Sequence, residues 1–359
     1  MAAAAAATSD GDGPNVEQVI VAFWQHAETY YRDKDGQPTG EAQNFLYSLR
    51  VLRRLFGTMP AAKVDSETLE ACRDEMIAAK LARNTINRRI GRIRQMFKWA
   101  AKKKMVPAAV FVSLTTVEGL KANRSKAHET ERVKPVADAH ARAVIAAAGR
   151  VLSAMVELQL LTGMRSGEVV TMRTADIERG GDVWVYTPRK FKTQHLGHER
   201  PVYLGKRCQE ILTPFLKMDG NAYLFSPAEA EADRLAARTA ARKTPAGPGR
   251  NAPGTNRNAN PVKKPGNSYT VRSYAKAVYR ACARAFHAPA NADAAAVKAW
   301  KVAHRFHPHQ LRHAAATRFR REYNLDTARA LRGQKTMEAA AIYAEMDNGK
   351  AREVMRVSG

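Results

Sequence analysis

His307-Pro308-His309-Gln310-Leu311-Arg312-His313 is the stretch on which the reading of this sequence turns. Proline has a fixed φ and no N–H, so Pro308 suits the first turn of a helix. His309 and Arg312 are then three residues apart and share a face. An imidazole beside a guanidinium combines proton handling with the binding of an anion such as phosphate. His304 lies just upstream, so His304, His307, His309 and His313 also admit a metal-site reading. No cysteine or carboxylate lies close by in sequence and the flanks are arginine-rich, which speaks against it. His304 and His313 taken singly also read as structural histidines.

Two further patterns flank this stretch at a distance. Downstream, Leu331-Arg332-Gly333-Gln334 is followed by Ala341-Ile342-Tyr343-Ala344. A tyrosine at helical spacing is ordinarily core or interface, as for Tyr274, Tyr279 and Tyr323, and nothing intrinsic sets Tyr343 apart. Upstream, Leu161-Thr162-Gly163-Met164-Arg165-Ser166-Gly167-Glu168-Val169 reads as an apolar helix ending at a glycine turn. Arg165 opens the next helix, where backbone N–H groups also favour an anion. Between these patterns, alternation at 183–186 and again at 202–204 predicts a β-hairpin. Its polar turn holds Lys190, Lys192, His195, Gly197 and His198.

Taken together, these patterns resemble the tyrosine recombinase (phage integrase) family. That family carries an Arg in a TGxRxxE-like turn, a Lys on a β-hairpin, an HxxR pair, a Gly-His pair and a Tyr nine residues after the second His. Arg165 and Glu168 match the first motif, and Lys192, followed by Arg200 and Val202, matches the second. His309 and Arg312 match HxxR, and His313 agrees with its common form. Gly333-Gln334 stands in the place of Gly-His, and Tyr343 is nine residues beyond Gln334. Several motifs in the right order are stronger evidence than any one of them. The departure is Gln334, which donates a hydrogen bond but carries neither a proton for transfer nor a charge.

The resemblance implies a DNA-breaking and rejoining enzyme in which Tyr343 attacks a phosphodiester. Arg165 and Arg312 would clamp the non-bridging oxygens, with His309 and Gln334 adding hydrogen bonds. His309 would serve as base and Lys192 as the acid for the leaving 5′ hydroxyl, with Lys190 the alternative. Glu168 and His313 would support these groups from behind. No cofactor is implied. The implied partner is double-stranded DNA, bound by a chain that is monomeric when free and tetrameric on paired sites, with accessory DNA-bending or directionality factors. An inactive DNA-binding protein of the same fold and a type IB-like DNA-relaxing enzyme are the alternatives.

The rest of the chain fits that frame. Residues 15–105 read as a helical bundle, the position of a SAM-like core-binding domain. One helix spans 15–32, and a second follows Thr39, a candidate N-cap, and stops at Gly57. A third follows Asp65 and Ser66. The fourth starts near Asn84 and carries Ile86, Ile90, Ile93 and Phe97 as one apolar stripe. Its other faces hold Arg88, Arg89, Arg92, Arg94, Lys98, Lys102, Lys103 and Lys104, with no acidic residue between Arg83 and Lys104. That one-signed face reads as a phosphate-contacting surface. Residues 106–133 read as a basic linker, and 134–359 as a mixed α/β catalytic domain with a flexible basic insertion at about 228–267. The expected fold is mainly α with a small β-sheet.

Bulk properties agree. The 359 residues are enough for two or three domains, and 45% are hydrophobic. A formal net charge of +25 points to a polyanionic partner. Cys72, Cys208 and Cys282 are far apart and lack CxxC spacing, so neither a disulfide framework nor a zinc site is expected. No apolar run approaches the roughly 20 residues of a membrane span. Residues 1–14 read as a disordered tail, not a signal peptide. The expected location is the cytoplasm, in association with the nucleoid.

Overall fold

The structure is a computed structural model that describes residues 13–33, 35–189, 191, 200–243, 264–290, 292–323, 326, 330 and 331. The chain divides into two compact units, 1–132 and 133–359. Each has its own hydrophobic core.

The first unit is helical. Helix α1 spans Val16–Tyr30 and opens with a reciprocal cap, in which the Asn15 side chain accepts from the Gln18 N–H at 2.8 Å and Gln18 accepts from the Asn15 N–H at 2.9 Å. Helix α2, Glu41–Phe56, buries Phe45, Leu49 and Leu52. Its N-cap is Gly40, and Thr39 lies one residue outside, its hydroxyl donating to the Tyr31 carbonyl. At Gly57 a Cβ would come within 2.5 Å of the Arg53 carbonyl oxygen, so the close of α2 requires glycine. Asp65 caps α3, Ser66–Ala78, and α4 runs from Arg83 to Lys102. The apolar stripe of α4 is buried as its spacing predicts, with Ile86, Ile93 and Phe97 fully inaccessible.

Residues 106–127 depart from the expected linker. Pro107 starts a short helix, α5, Ala108–Thr115, and Val106, Val110, Leu114, Val117 and Ala127 all enter the first core. Asn87 exchanges two hydrogen bonds with the backbone of Leu120, and Arg83 pairs with Glu129 at 2.6 Å. An eight-residue helix offers only two turns of pattern, too few for its periodicity to stand out.

The second unit is built around α7, Arg150–Thr162, which is buried on most of its circumference. It contacts α6 (Asp138–Ala147), α8 (Ser166–Val170), α9 (Lys206–Leu212), α10 (Pro227–Ala240) and α13 (Pro308–Glu322). Two further helices are α11, Val271–Ala285, and α12, Ala294–His304. A three-stranded antiparallel sheet runs β1 (Ile177–Glu178), β2 (Trp184–Tyr186), β3 (Val202–Leu204). The predicted hairpin is thus present as β2 and β3, with Val185 opposite Tyr203. Within the basic insertion, α10 is capped by Ser226, with Pro227 in its first turn. Residues 244–263 lie outside the described residues.

Cys72, Cys208 and Cys282 are free thiols buried in the two cores. Burial pushes Cys72 up to about 12 and Cys208 up to about 11, and raises Cys282 as well. No helix among the described residues is long and apolar enough to cross a membrane.

Candidate active site

The site forms where the turn after α7 meets the start of α13. Helix α7 ends at Gly163, which adopts a left-handed φ of 65° that favours glycine. This turn delivers Arg165 to the N-cap of α8. Three buried groups fix the turn and the short helix it opens. Gln159 donates to the Met164 carbonyl at 3.1 Å and to the Ser166 hydroxyl at 3.2 Å. Tyr274, from α11, donates to the Gln159 side-chain carbonyl at 3.0 Å. Tyr186, from β2, donates to the Glu168 carbonyl at 2.8 Å.

Helix α13 reaches the same turn. The His307 side chain accepts from the His309 N–H at 3.1 Å, and Gln310 accepts from the His307 N–H at 2.9 Å, which closes the N-terminus around Pro308. Arg312 is 1% exposed and donates from Nη1 to the Gly163 carbonyl at 2.5 Å. Six residues later Arg318 donates to the Leu160 and Leu161 carbonyls at 3.1 and 3.0 Å. Both arginines thus satisfy carbonyls at the α7 C-terminus, where no intrahelical donor remains. His309 is partly buried one turn before Arg312, and its ring lies 5.1 Å from that of His313, edge to face.

Glu168 ties the cations together. It is 2% exposed, accepts from the Arg165 N–H at 2.7 Å and pairs with the Arg165 guanidinium at 2.9 Å. Its other partner is Arg200, also 2% exposed, at 3.3 Å. Burial alone would raise the Glu168 carboxyl. Arg200, the Arg165 N–H, the Arg165 guanidinium and Arg312 outweigh it and hold the group below the usual carboxylate range.

The structure therefore brings Arg165, Glu168 and Arg312 together from two stretches far apart in sequence, with His309 and His313 on the same helix as Arg312. Lys192, Gln334 and Tyr343, together with Lys190, lie outside the described residues. Sequence reasoning noted Arg200 only as part of the hairpin motif, read Tyr274 as core or interface without a link to the site, and missed Gln159. A single glutamine within an apolar helix was the available signal for Gln159.

The histidines serve separate surroundings. His304 stacks on Phe286 at 5.1 Å, and its carbonyl oxygen is 3.0 Å from Nε2 of His140. Among the described residues no group of three or more His, Cys, Asp or Glu is placed to hold a metal ion.

In the first unit the basic face of α4 is divided. Arg92 pairs with Glu41 at 2.8 Å, and Arg94 donates to the Val117 carbonyl at 3.3 Å. Arg88, Lys98, Lys102, Lys103 and Lys104 are exposed, and Arg89 is half-buried. Lys104 falls just past the helix, with a left-handed φ of 57°.

No protein-family model and no curated relative matches the sequence. Solved structures do. A lambda integrase dimer bound to a COC′ core site superposes with a TM-score of 0.62 at 13% identity, over 93% of this chain and 78% of that one. A lambda integrase tetramer bound to a Holliday junction gives 0.62 at 13%, over 94% and 79%. The Tn1549 transposon integrase in complex with transposon right end DNA gives 0.61 at 14%, over 96% and 100%. Identity this low speaks to architecture alone, and the architecture of this chain is the tyrosine recombinase fold.

Proposed function

We propose that this chain is a site-specific DNA recombinase that cleaves and rejoins duplex DNA through a 3′-phosphotyrosyl intermediate. The observation that carries the proposal is the convergence of Arg165 and Arg312 on one turn, with His309 one helical turn away on the same face as Arg312. Two preorganised guanidiniums suit the charge that develops on the non-bridging oxygens of a phosphodiester under attack.

In this reading Tyr343 is the nucleophile. A tyrosine has an unperturbed pKa of about 10, so His309 accepts its proton as the Tyr343 oxygen bonds to phosphorus. The bond from phosphorus to the 5′ oxygen breaks, and Lys192 protonates that oxygen. A 5′ hydroxyl from the partner strand then attacks the phosphotyrosine and Tyr343 leaves. The phosphodiester energy is held in the intermediate, so no nucleotide cofactor and no metal is called for. Gln334 adds a hydrogen bond to the phosphate.

The charge distribution supports a DNA partner. Arg272, Lys276, Arg280 and Arg284 recur every four residues along α11, all exposed, and that helix has no acidic residue. The exposed cations at the end of α4 supply a second basic surface. Assembly as a tetramer on paired sites follows from the same reading, by analogy with the integrase tetramer on a Holliday junction.

Covalent trapping tests the proposal. Wild type and Tyr343→Phe are incubated with fragmented host and element DNA, quenched in detergent, and the protein-linked fragments sequenced. The expected result is a wild-type adduct with recurrent ends that the Phe variant lacks. Dispersed ends would point to a relaxing enzyme. Tight binding without any adduct, even on nicked duplexes, would leave a DNA-binding protein without the chemistry, with Gln334→His the first reversion to make.

A further inference from the structure

We infer that Arg200 is a positioning residue that couples the carboxylate behind Arg165 to the backbone at Leu331, which packs on α13, and so holds the Arg165 turn in register with the helix that carries His309 and Arg312. The inference rests on the recombinase reading above.

Arg200 lies two residues before β3 and is almost fully buried. A buried guanidinium needs most of its five N–H groups satisfied. Here they point in two directions. Nε and Nη2 face the two oxygens of Glu168 at 3.3 and 3.4 Å. Nη1 donates to the Leu331 carbonyl, and also to the Pro201 carbonyl, both at 3.3 Å.

The two ends of this bridge matter differently. Glu168 holds Arg165 through both its backbone N–H and its guanidinium. Leu331 packs against Ala315 and Phe319 of α13 and immediately precedes Arg332-Gly333-Gln334 in sequence. Three guanidinium nitrogens in one rigid plane therefore relate the carboxylate partner of Arg165 to Leu331 and, through its packing, to α13. The planar fork is the property in use, and a flexible ammonium does not reproduce it. A counter-ion for Glu168 would need only the charge. The hydrogen bond to Leu331 is what a counter-ion does not require.

Arg200→Lys separates these roles, since it keeps a cation beside Glu168 and removes the fork. Melting is followed first, and rates are compared at a temperature where both proteins are folded. The substrate is a nicked duplex built on the fragment ends recovered by trapping. Affinity for that duplex and the single-turnover rate of adduct formation are measured separately. The expected result is affinity within about threefold of wild type and adduct formation slower by about a hundredfold, the scale of a small misplacement of reacting groups. Methylguanidine added to Arg200→Ala should restore part of the rate without changing affinity.

Adduct formation by Arg200→Lys at the wild-type rate would overturn the inference and leave Arg200 as a counter-ion. Affinity and rate falling together would also overturn it, in favour of a general structural role. A wild-type chain that forms no adduct removes the recombinase reading, and this inference with it.

Discussion

Glu168 offers the sharpest test at the scale of single residues. Glu168→Gln leaves the buried Arg200 guanidinium without its counter-charge, and removing one member of a buried pair destabilises by about 3–5 kcal/mol. The Glu168 carboxyl is held below its ordinary value in the folded chain, so its contribution is fully present above the unfolded value of about 4.3. That contribution disappears as pH falls through the folded value. Urea unfolding between neutral and acid pH should therefore show a wild-type stability that declines below the usual carboxylate range, and a flatter curve for Glu168→Gln. Parallel curves would sink the assignment. Tyr274→Phe makes a milder case, since it leaves the buried Gln159 carbonyl oxygen unsatisfied, for about 1–3 kcal/mol in the same assay. The motif residues Arg165, His309 and Arg312 were legible because their types and local spacings survive in a linear reading. The hydrogen bond between Arg312 and Gly163 spans 149 residues, and the one between Arg200 and Leu331 spans 131. No local pattern encodes either, which is why the partner of each arginine emerged only from the fold.

At the scale of elements, α5 and α4 make contrasting predictions. Leu114 is fully buried, so Leu114→Ala should cost about 2–5 kcal/mol, whereas Val112, at 60% exposure, should tolerate alanine with little change. Chemical denaturation of the two variants decides whether 106–127 belongs to the first core, because linker residues would show no such difference. On α4, Arg92→Ala should lower stability, because it removes the ion pair with Glu41 and the guanidinium that lies over the Phe45 ring. Arg88→Ala and Lys102→Ala should leave stability unchanged and instead reduce the salt dependence of DNA binding, by about one unit of slope for each phosphate that goes unneutralised. An Arg92 variant that altered only the salt slope would return it to the phosphate-binding set. Helix α4 was readable from sequence because twenty residues repeat one pattern, while α5 and the two-residue β1 were too short to leave a periodic signature. The hairpin strands were legible through alternation, and their pairing register came from the fold.

At the scale of the whole molecule, each of the two units carries its own core of buried residues. Calorimetry should therefore resolve two unfolding transitions, and a fragment covering 13–132 should fold by itself, with a cooperative melt in circular dichroism. A single transition for the full chain and an unfolded fragment would show that the first unit depends on the second. The net charge of +25 further predicts that DNA affinity falls steeply with salt. A nearly flat response would count against both basic surfaces.

The three buried cysteines give the molecule its own clocks. Thiolate is the form that reacts with alkylating reagents, and each of these thiols is buried and shifted towards its protonated form. The native chain should thus be silent to maleimide and iodoacetamide at neutral pH, with labelling gated by opening of the surrounding structure. Cys72 would time the first unit, and Cys208 and Cys282 the second. Mass spectrometry of labelled peptides would read the two rates from one sample. A single cysteine placed at exposed Met218 or Val302 would take a fluorophore without first stripping the native thiols.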